Sequence, residues 1–296
     1  MSNYAIFYHP DTILTSYTFD TTRKGHAIAA QLRAQGITVQ TPVPLHTEEA
    51  LAVHTAEYVH ALQTGEPEYL ATSQGFDWDT HMWQSVAAQN GAMRDATLAA
   101  IQGTPAYAIS AGFHHARRNT GAGFCTLNGL ALAAHIARTQ GVRHIIILDV
   151  DAHNGGGTYR MVHRWPEICH VDIATSPYDS YDAEDPHRSY AVATAADYLD
   201  TIQTALTRVE ATLAPGDLLI YNAGMDSHEL CRMGSLAGIT SALLTQRETL
   251  VATWARQHKL RMVACLAGGY ADELFTTDEL YGLHCMSVKT FLQITN

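Results

Sequence analysis

Residues 144–157 read HIIILDVDAHNGGG, and their pattern indicates the fold class of the chain. The run from Ile145 to Leu148 is apolar on both sides and too short for a helix, which is typical of a parallel strand buried on both faces. Polar residues and glycines follow the run at once. This order indicates an open α/β sheet whose functional site lies at the carboxyl ends of the strands.

Short apolar runs and helical patterns alternate along the rest of the chain. The helical predictions are 23–35, 47–63, 81–102, 128–140, 193–213, 238–258 and 279–293. The strand predictions are Tyr4–Tyr8, Tyr107–Ser110, His144–Leu148, Ile168–Ile173, Leu218–Tyr221 and Met262–Leu266. Such alternation predicts a single α/β domain over residues 1–296 with a central, mostly parallel sheet.

Composition excludes several classes of protein. The chain has 296 residues, of which 47% are hydrophobic and 16% charged, so a disordered tail, a coiled coil and a fibrous repeat are excluded. The net charge of −11 lacks the basic footprint of a nucleic-acid binder, and we expect no nucleic-acid partner. No apolar run approaches the roughly 20 residues that cross a bilayer, so we expect no membrane partner.

The cysteines and the N-terminus bear on the compartment. Five cysteines include no CxxC pair, and their odd number argues against a disulfide framework. The segment Met1–Pro10 lacks the basic and apolar regions of a signal peptide. We therefore predict reduced cysteines and a cytoplasmic location.

Three other predicted strands also end in polar or glycine-rich segments. Tyr107–Ser110 leads to AGFHHA, Leu218–Tyr221 leads to NAGMD, and Met262–Leu266 leads to AGGY. The carboxyl ends of parallel strands meet at one edge of a sheet, where sites form. The four strand ends together therefore predict one convergent pocket.

Asp149, Asp151 and His153 are spaced by two residues after the strand. Alternate residues of an extended chain point to the same side, so these side chains can gather around one point. Asp151 and His153 offer ligand types that zinc accepts, and Asp226 could supply a third from another strand end. Three protein ligands would leave one position open for water and substrate. The alternative is that Asp149 and Asp151 only cap the following loop.

Further residues of these strand ends suit amide chemistry. His114 and His115 could supply a general base and an electrostatic partner, although two adjacent histidines can also be surface loop residues. Gly123 permits close backbone approach and Phe124 could wall an apolar channel, unless Phe124 belongs to the core. The phenol of Tyr270 could donate a hydrogen bond to a developing oxyanion, or it could simply pack at a turn.

Five motifs in register resemble one family. GFHHA at 112–116, GAGFC at 121–125, DVDAH at 149–153, NAGMDS at 222–227 and LAGGY at 266–270 are similar to those of the zinc-dependent histone deacetylase and acetylpolyamine amidohydrolase family. The order and spacing match from about residue 45 through 270. The resemblance implies a three-layer αβα fold of the arginase and deacetylase type, with about eight strands.

The resemblance also implies a role for each matching residue. One zinc ion would be bound by three ligands: Asp151, His153 and Asp226. His115 would be the general base and then the acid that protonates the leaving amine. His114 would be an electrostatic partner held by Asp149, and Tyr270 would stabilise the transition state.

Other matching positions concern the substrate and a second ion. Gly123 and Phe124 fall on the wall of the family's acyl-lysine tunnel, and Asp77 falls on the rim residue that orients the substrate backbone. Family members often bind potassium near the DxDxH strand, and Asp172 stands near one such position. The resemblance therefore allows a structural potassium ion.

Two glycines stand where related families have side chains, one near the general base and one near the metal. Gly156 stands where the family has the Asp or Asn that braces the second tandem histidine. We expect His115 to be braced by water or another group, or its pKa to be set differently. Gly155 stands where arginases have a further Asp for two manganese ions, so a single zinc ion is favoured.

Three functions follow, and the sequence leaves all three open. The first is zinc-dependent hydrolysis that removes an acyl group, above all acetyl, from a lysine peptide or a small primary amine. The second is hydrolysis of acetylpolyamines, for which the acid-rich segment 178–185 could attract a polycation, unless this segment is a solvated loop. The third is a catalytically idle module that binds acyl-lysine or metal, which Gly156 favours and Tyr270 opposes.

Overall fold

The structure is a computed structural model that describes residues 3–16 and 19–293. The first two and last three residues of the predicted 1–296 domain, which include the start of Met1–Pro10, lie outside these ranges, as do residues 17 and 18. The strands of the described residues are β1 Ala5–Phe7, β2 Ala106–Ala108, β3 Ile145–Asp149, β4 Ile168–Ala174, β5 Arg188–Ala191, β6 Leu218–Ala223 and β7 Arg261–Leu266. They form one sheet in the order β1-β2-β7-β6-β3-β4-β5, and every pairing is parallel.

Parallel pairing requires long crossover connections, and these contain helices except between β4 and β5, which the loop of residues 175–187 joins. A short 3₁₀ helix spans Pro10–Ile13. The α-helices of the described residues are α1 Asp20–Ala34, α2 Thr47–Leu51, α3 Ala56–Thr64, α4 Glu68–Ala71, α5 Met82–Ile101, α6 Gly129–Thr139, α7 Gly156–Val162, α8 Ala195–Glu210, α9 Ser241–Gln257 and α10 Thr277–Leu292. In this described part, no helix is both long and apolar enough to span a membrane.

Helices cover both faces of the sheet. Because successive strand residues point to opposite sides, each strand contributes side chains to both layers. Ile146 and Leu148 of β3 lie in a core cluster with residues of α1, α8, α9 and α10. Ile145 and Ile147 of the same strand lie in a second cluster with residues of α5 and α6. The predicted αβα layering is confirmed, and the unbroken apolar run of β3 is explained by burial on both sides.

The structure differs from the predicted elements in several places, among them the short helices α4 and α7, which were not predicted. The sheet has seven strands in the described residues, where about eight were expected. Arg188–Ala191 was not predicted as a strand because it lies at the sheet edge and alternates between half-buried and exposed positions. The predicted helix 47–63 is two helices, because Thr55 caps the second one by accepting a hydrogen bond from the Tyr58 amide at 3.4 Å.

The four strands that end in polar segments are neighbours, in the order β2-β7-β6-β3. In register, Asp149 lies opposite Asn222 of β6, and Asn222 lies opposite Cys265 of β7. The loops that follow these strands therefore leave the sheet side by side. The predicted convergence at one carboxyl edge has its structural basis in this strand order.

Candidate active site

Asp151, His153 and Asp226 meet at the carboxyl edge of the sheet. One potential ligand atom from each lies within 4.8 Å of the others. His153 Nδ1 is 3.1 Å from Asp151 Oδ1 and 3.1 Å from Asp226 Oδ2. Asp151 and Asp226 are buried, and His153 is half-buried. The arrangement brings two carboxylates and one imidazole from two loops to a common point.

Backbone amides orient both carboxylates. The Gly268 amide donates a hydrogen bond to Asp151 Oδ2 at 2.6 Å, and the Ala152 amide donates one to Asp226 Oδ1 at 2.9 Å. A Cβ on Gly268 would lie 2.6 Å from Asp151 Oδ2 and would overlap the Asp226 carboxylate. Glycine is needed here for close approach, and the β7 loop thereby helps to hold the cluster.

The charges of the cluster fit a divalent cation. Burial and the neighbouring Asp151 carboxylate raise the pKa of Asp226 to about 6. Burial opposes a charge on His153, but the two carboxylates outweigh it and raise the pKa of His153 to about 11. Two crowded anions and one imidazole are a donor set that zinc accepts. A bound cation would relieve the repulsion between the two carboxylates and would take the place of the proton that they hold on His153.

His114 is buried beside the cluster and is held by Asp149. His114 Nδ1 donates to Asp149 Oδ2 at 2.9 Å, and Asn222 donates to the other Asp149 oxygen at 2.8 Å. His114 Nε2 lies 3.6 Å from Asp151. Burial disfavours a charged imidazole, but Asp149 and Asp151 overcome that effect and raise the pKa of His114 to about 10. His114 is therefore a charged neighbour of the next residue.

His115 stacks on His114 but has different surroundings. The ring centroids are 3.9 Å apart. Burial and the neighbouring His114 charge lower the pKa of His115 to about 4. Its Nδ1 lies 3.2 Å from the carboxylate of Asp179, which comes from the loop between β4 and β5. The group that braces His115 is therefore a carboxylate, and it comes from a loop outside the four predicted strand ends.

A cavity of about 490 Å³ opens beside the cluster. Its lining includes five predicted site residues and two further side chains, namely His115, Gly123, Phe124, His153, Tyr270, Tyr178 and Met233. A second, much smaller cavity of about 20 Å³ is lined by Asp151, Gly268 and Tyr270, among others. His115, Gly123 and Tyr270 contribute to both, so the two cavities adjoin at these residues.

Gly123 and Phe124 form one side of the main cavity. Both have positive φ, 51° and 63°, and for Phe124 this is an uncommon backbone conformation. A Cβ on Gly123 would overlap Cδ2 of the His115 ring and lie 2.9 Å from its Cγ, so only glycine allows the chain to pass there. The Phe124 ring packs against Phe19, with centroids 4.4 Å apart, and against Phe76.

Asp77 lies away from the residues that line the cavity. It is exposed on the loop between α4 and α5, next to Phe76, whose ring is 5.2 Å from that of Phe124. Gly75 of the same loop does line the cavity. The loop thus reaches the cavity mouth, and the rim role of Asp77 stays a prediction.

Sequence reasoning missed three residues at this site. Tyr178 and Met233 line the cavity, and the Tyr178 ring lies 4.9 Å from that of His115. Asp179 was considered only as part of the acid-rich segment 178–185. No local pattern marks these residues, because the contacts join loops that are distant in the chain. The one available signal was Gly156, since a missing side chain leaves space for another.

Comparisons with known proteins agree with this geometry. Residues 17–281 match the family model described as histone deacetylase domain. An uncharacterized protein of Picosynechococcus sp. is 30% identical over 232 residues, which cover 75% of each chain. A probable deacetylase of Archaeoglobus fulgidus is 28% identical over 271 residues, covering 82% of this chain and 74% of the relative.

Solved structures show the same fold. The crystal structure of an acetylpolyamine aminohydrolase from Burkholderia pseudomallei superposes with a TM-score of 0.80 at 19% identity, covering 97% of this chain and 98% of that one. At this identity the likeness concerns the fold alone. The family match spans the loops that carry the convergent aspartates and histidines, and on that ground the chain belongs to the histone deacetylase domain family.

Proposed function

We propose that the protein is a zinc-dependent hydrolase that removes acetyl groups from the ε-amino groups of lysine peptides or from related small primary amines. Membership of the family and its deacetylase relatives support a hydrolytic deacetylase. One observation supports the role of zinc and of the site residues in this reaction. His153 of the three-ligand cluster lines the same cavity as His115 and Tyr270, so ligand, base and hydrogen-bond donor face one space.

The donor set supports a single zinc ion held by Asp151, His153 and Asp226. Three protein ligands are the pattern of a catalytic zinc site with an open position. Zinc bound there would supply Lewis-acid polarisation of the substrate carbonyl. A potassium ion near Asp172 stays a prediction, because the Asp172 carboxylate already accepts a hydrogen bond from the Gly155 amide at 2.5 Å.

His115 is the group that moves protons in this proposal. A carboxylate can only accept, so His115 Nδ1 carries the proton towards Asp179 and Nε2 is left as the acceptor. The low pKa of His115, about 4, keeps the ring neutral at physiological pH. His115 Nε2 takes a proton from the attacking water and then delivers it to the leaving amine.

Tyr270 and the cavity walls support the remaining steps. The Tyr270 phenol donates a hydrogen bond to the oxyanion as the carbonyl becomes tetrahedral. Phe124, Tyr178 and Met233 give the cavity walls that suit the aliphatic stem of a lysine side chain. The small cavity behind them, about 20 Å³, has space for about one water molecule, which supports a short acyl group.

The structure bears differently on the two alternative functions. In the acid-rich segment the Asp179 carboxylate is buried and ion-paired with Arg117 and Arg160, so its charge is not available to attract a polycation, whereas the other three acids of the segment are exposed. Gly156 favoured an idle module, but His115 has a carboxylate partner in spite of it. A cytoplasmic location stays a prediction, and the five free, buried cysteines support a reducing compartment.

The test compares the wild-type protein with Asp226→Ala on an acetyl-lysine peptide and on acetylputrescine. Asp200→Asn, which removes an exposed carboxylate of α8, is the matched control. We expect Asp226→Ala to lose hydrolysis and Asp200→Asn to keep it. Full activity of Asp226→Ala would end the proposal. A higher kcat/KM on acetylputrescine than on the peptide would assign the polyamine function.

A further inference from the structure

Asp179 is a buried carboxylate in an exposed, acid-rich loop. Its side chain is 3% exposed although the flanking Tyr178 is exposed. The backbone of Asp179 has φ of 55°, a left-handed conformation that non-glycine residues adopt uncommonly. The turn at this residue directs the carboxylate inward, towards the floor of the cavity.

Four donors share the two Asp179 oxygens. His115 Nδ1 and the Gly157 amide donate to Oδ2, at 3.2 Å and 3.0 Å. Arg117 and Arg160 donate to Oδ1, at 3.1 Å and 2.9 Å. The arginines anchor the loop on one side of the carboxylate, while the other oxygen faces the imidazole that lines the cavity.

We propose that Asp179 is the positioning residue of His115, and that Gly156 and Asp179 form a matched pair in which glycine makes room for a carboxylate supplied by another loop. The proposal rests on the proposed function only in assigning His115 the role of general base. Asp179 is not among the residues that line the cavity, and it is not itself a reacting group. It acts through the tautomer and orientation of the His115 ring.

The matched pair follows from the space at residue 156. A Cβ on Gly156 would lie 2.7 Å from the Asp179 carboxyl carbon and would overlap the Asp179 carbonyl oxygen. Real Cβ atoms do not approach other atoms so closely, and Asp179 backbone would have to move. A side chain at 156 and the observed position of Asp179 therefore exclude each other.

The arginines make the burial of Asp179 tolerable. A buried carboxylate without partners is costly, and a fully hydrogen-bonded one is not. Burial alone would raise the pKa of Asp179, but His115 and the two arginines outweigh it and lower that pKa. Asp179 therefore stays an anion that can only accept, which fixes the proton of His115 on Nδ1.

Kinetics separate positioning from loop anchoring. Asp179→Asn keeps the shape and tolerates the left-handed backbone, whereas Arg160→Gln removes one anchor and leaves the His115 contact. We expect Asp179→Asn to lower kcat by about 10²-fold or more with KM nearly unchanged, as when the carboxylate behind a catalytic histidine becomes an amide. We expect Arg160→Gln to cost far less in kcat, with a fall in Tm. Equal losses in the two variants, or less than a threefold loss for Asp179→Asn, would overturn the proposal.

The His115 tautomer gives a readout that needs no turnover. Nitrogen NMR of protein labelled with ¹⁵N-histidine reports which ring nitrogen carries the proton, and His115→Gln assigns the signal. We expect a protonated Nδ1 in the wild-type protein and loss of this preference in Asp179→Gly. A wild-type His115 protonated on Nε2 would overturn the proposal. Should the wild-type protein hydrolyse no acylated amine, the proposed function fails while this measurement still decides the role of Asp179.

Exchange of the two residues tests the matched pair. Gly156→Asp alone should lower kcat and Tm, because the new side chain displaces Asp179. Asp179→Gly alone should lower kcat but fit its left-handed backbone. In the double variant Gly156→Asp/Asp179→Gly, glycine at 179 lets the loop backbone, whose carbonyl oxygen overlaps the new Cβ, move away, and the carboxylate at 156 takes the place of the Asp179 carboxylate. We expect its kcat to exceed that of either single variant at least tenfold. A double variant no better than the worse single variant would contradict the pair.

Discussion

Gly268→Ala tests how the β7 loop supports the proposed zinc ligands. The variant adds one methyl group at a position where φ is not in the left-handed region, so the backbone accepts alanine without strain. The new Cβ would lie 2.6 Å from Asp151 Oδ2, whereas ordinary van der Waals contact begins near 3.4 Å. The Asp151 oxygen must therefore retreat by about 0.8 Å, and the overlapped Asp226 carboxylate must move as well.

Such a displacement is large for a metal site. Ligand distances in a working site hold within about 0.2 Å of their preferred values. The hydrogen bond from the Gly268 amide to Asp151 would also be distorted. We expect the affinity for zinc to fall by at least about 10²-fold, which corresponds to about 3 kcal/mol. The rate of deacetylation at limiting zinc should fall in parallel.

The assay is a competition titration of zinc against a fluorescent chelator, together with the rate on an acetyl-lysine peptide. Gly282→Ala is the matched control, because a Cβ at that position of α10 meets no atom within 4 Å. The control should bind zinc like the wild-type protein and gain slightly in Tm, since alanine favours helix over glycine. Zinc affinity of Gly268→Ala within threefold of wild type would refute the reasoning.

Three further predictions follow from the site and the core. Tyr270→Phe should lower kcat about 10²- to 10³-fold with little change in KM, measured by steady-state kinetics, because it removes one donor to the oxyanion. Phe124→Ala should raise KM for the acetyl-lysine peptide more than it lowers kcat, since the ring walls the cavity. His54 is buried and its pKa is lowered to about 4, so the unfolded chain binds its proton first as pH falls below 6.5. The contribution of neutral His54 to the free energy of unfolding is fully present above pH 6.5, and about 3 kcal/mol of it is lost by pH 4. Urea unfolding of the wild-type protein and of His54→Gln, each at pH 7 and pH 4, measures this loss. The free energy of unfolding should fall less between the two pH values for the variant.

The fold could be predicted because its signals are local. Strands β3, β4, β6 and β7 are apolar runs buried on both faces, and their ends carry polar residues that the chain order brings to one edge. Strand β5 gave no such signal, since half of its residues are exposed at the sheet edge. The break between α2 and α3 depends on a single cap at Thr55, which the apolar periodicity of 47–63 concealed.

The site could be predicted only in part, for a related reason. Spacing by two residues was enough to place Asp151 beside His153, and the polar end of another predicted strand offered Asp226 as a third ligand. The partner of His115 was not predictable, because Asp179 reaches it across 64 positions of sequence through a left-handed turn. Contacts of this kind depend on loop conformation, and loop conformation leaves no periodic pattern.

In the proposed function, Asp151, His153 and Asp226 hold the one zinc ion on which hydrolysis depends. Elemental analysis of the purified protein is paired with peptide deacetylation before and after chelation to test for this ion. We predict one zinc per chain in the wild-type protein, none in Asp226→Ala, and activity that disappears on chelation and returns with added zinc. Undiminished hydrolysis by the metal-free protein, or a full zinc content in Asp226→Ala, would contradict the claim.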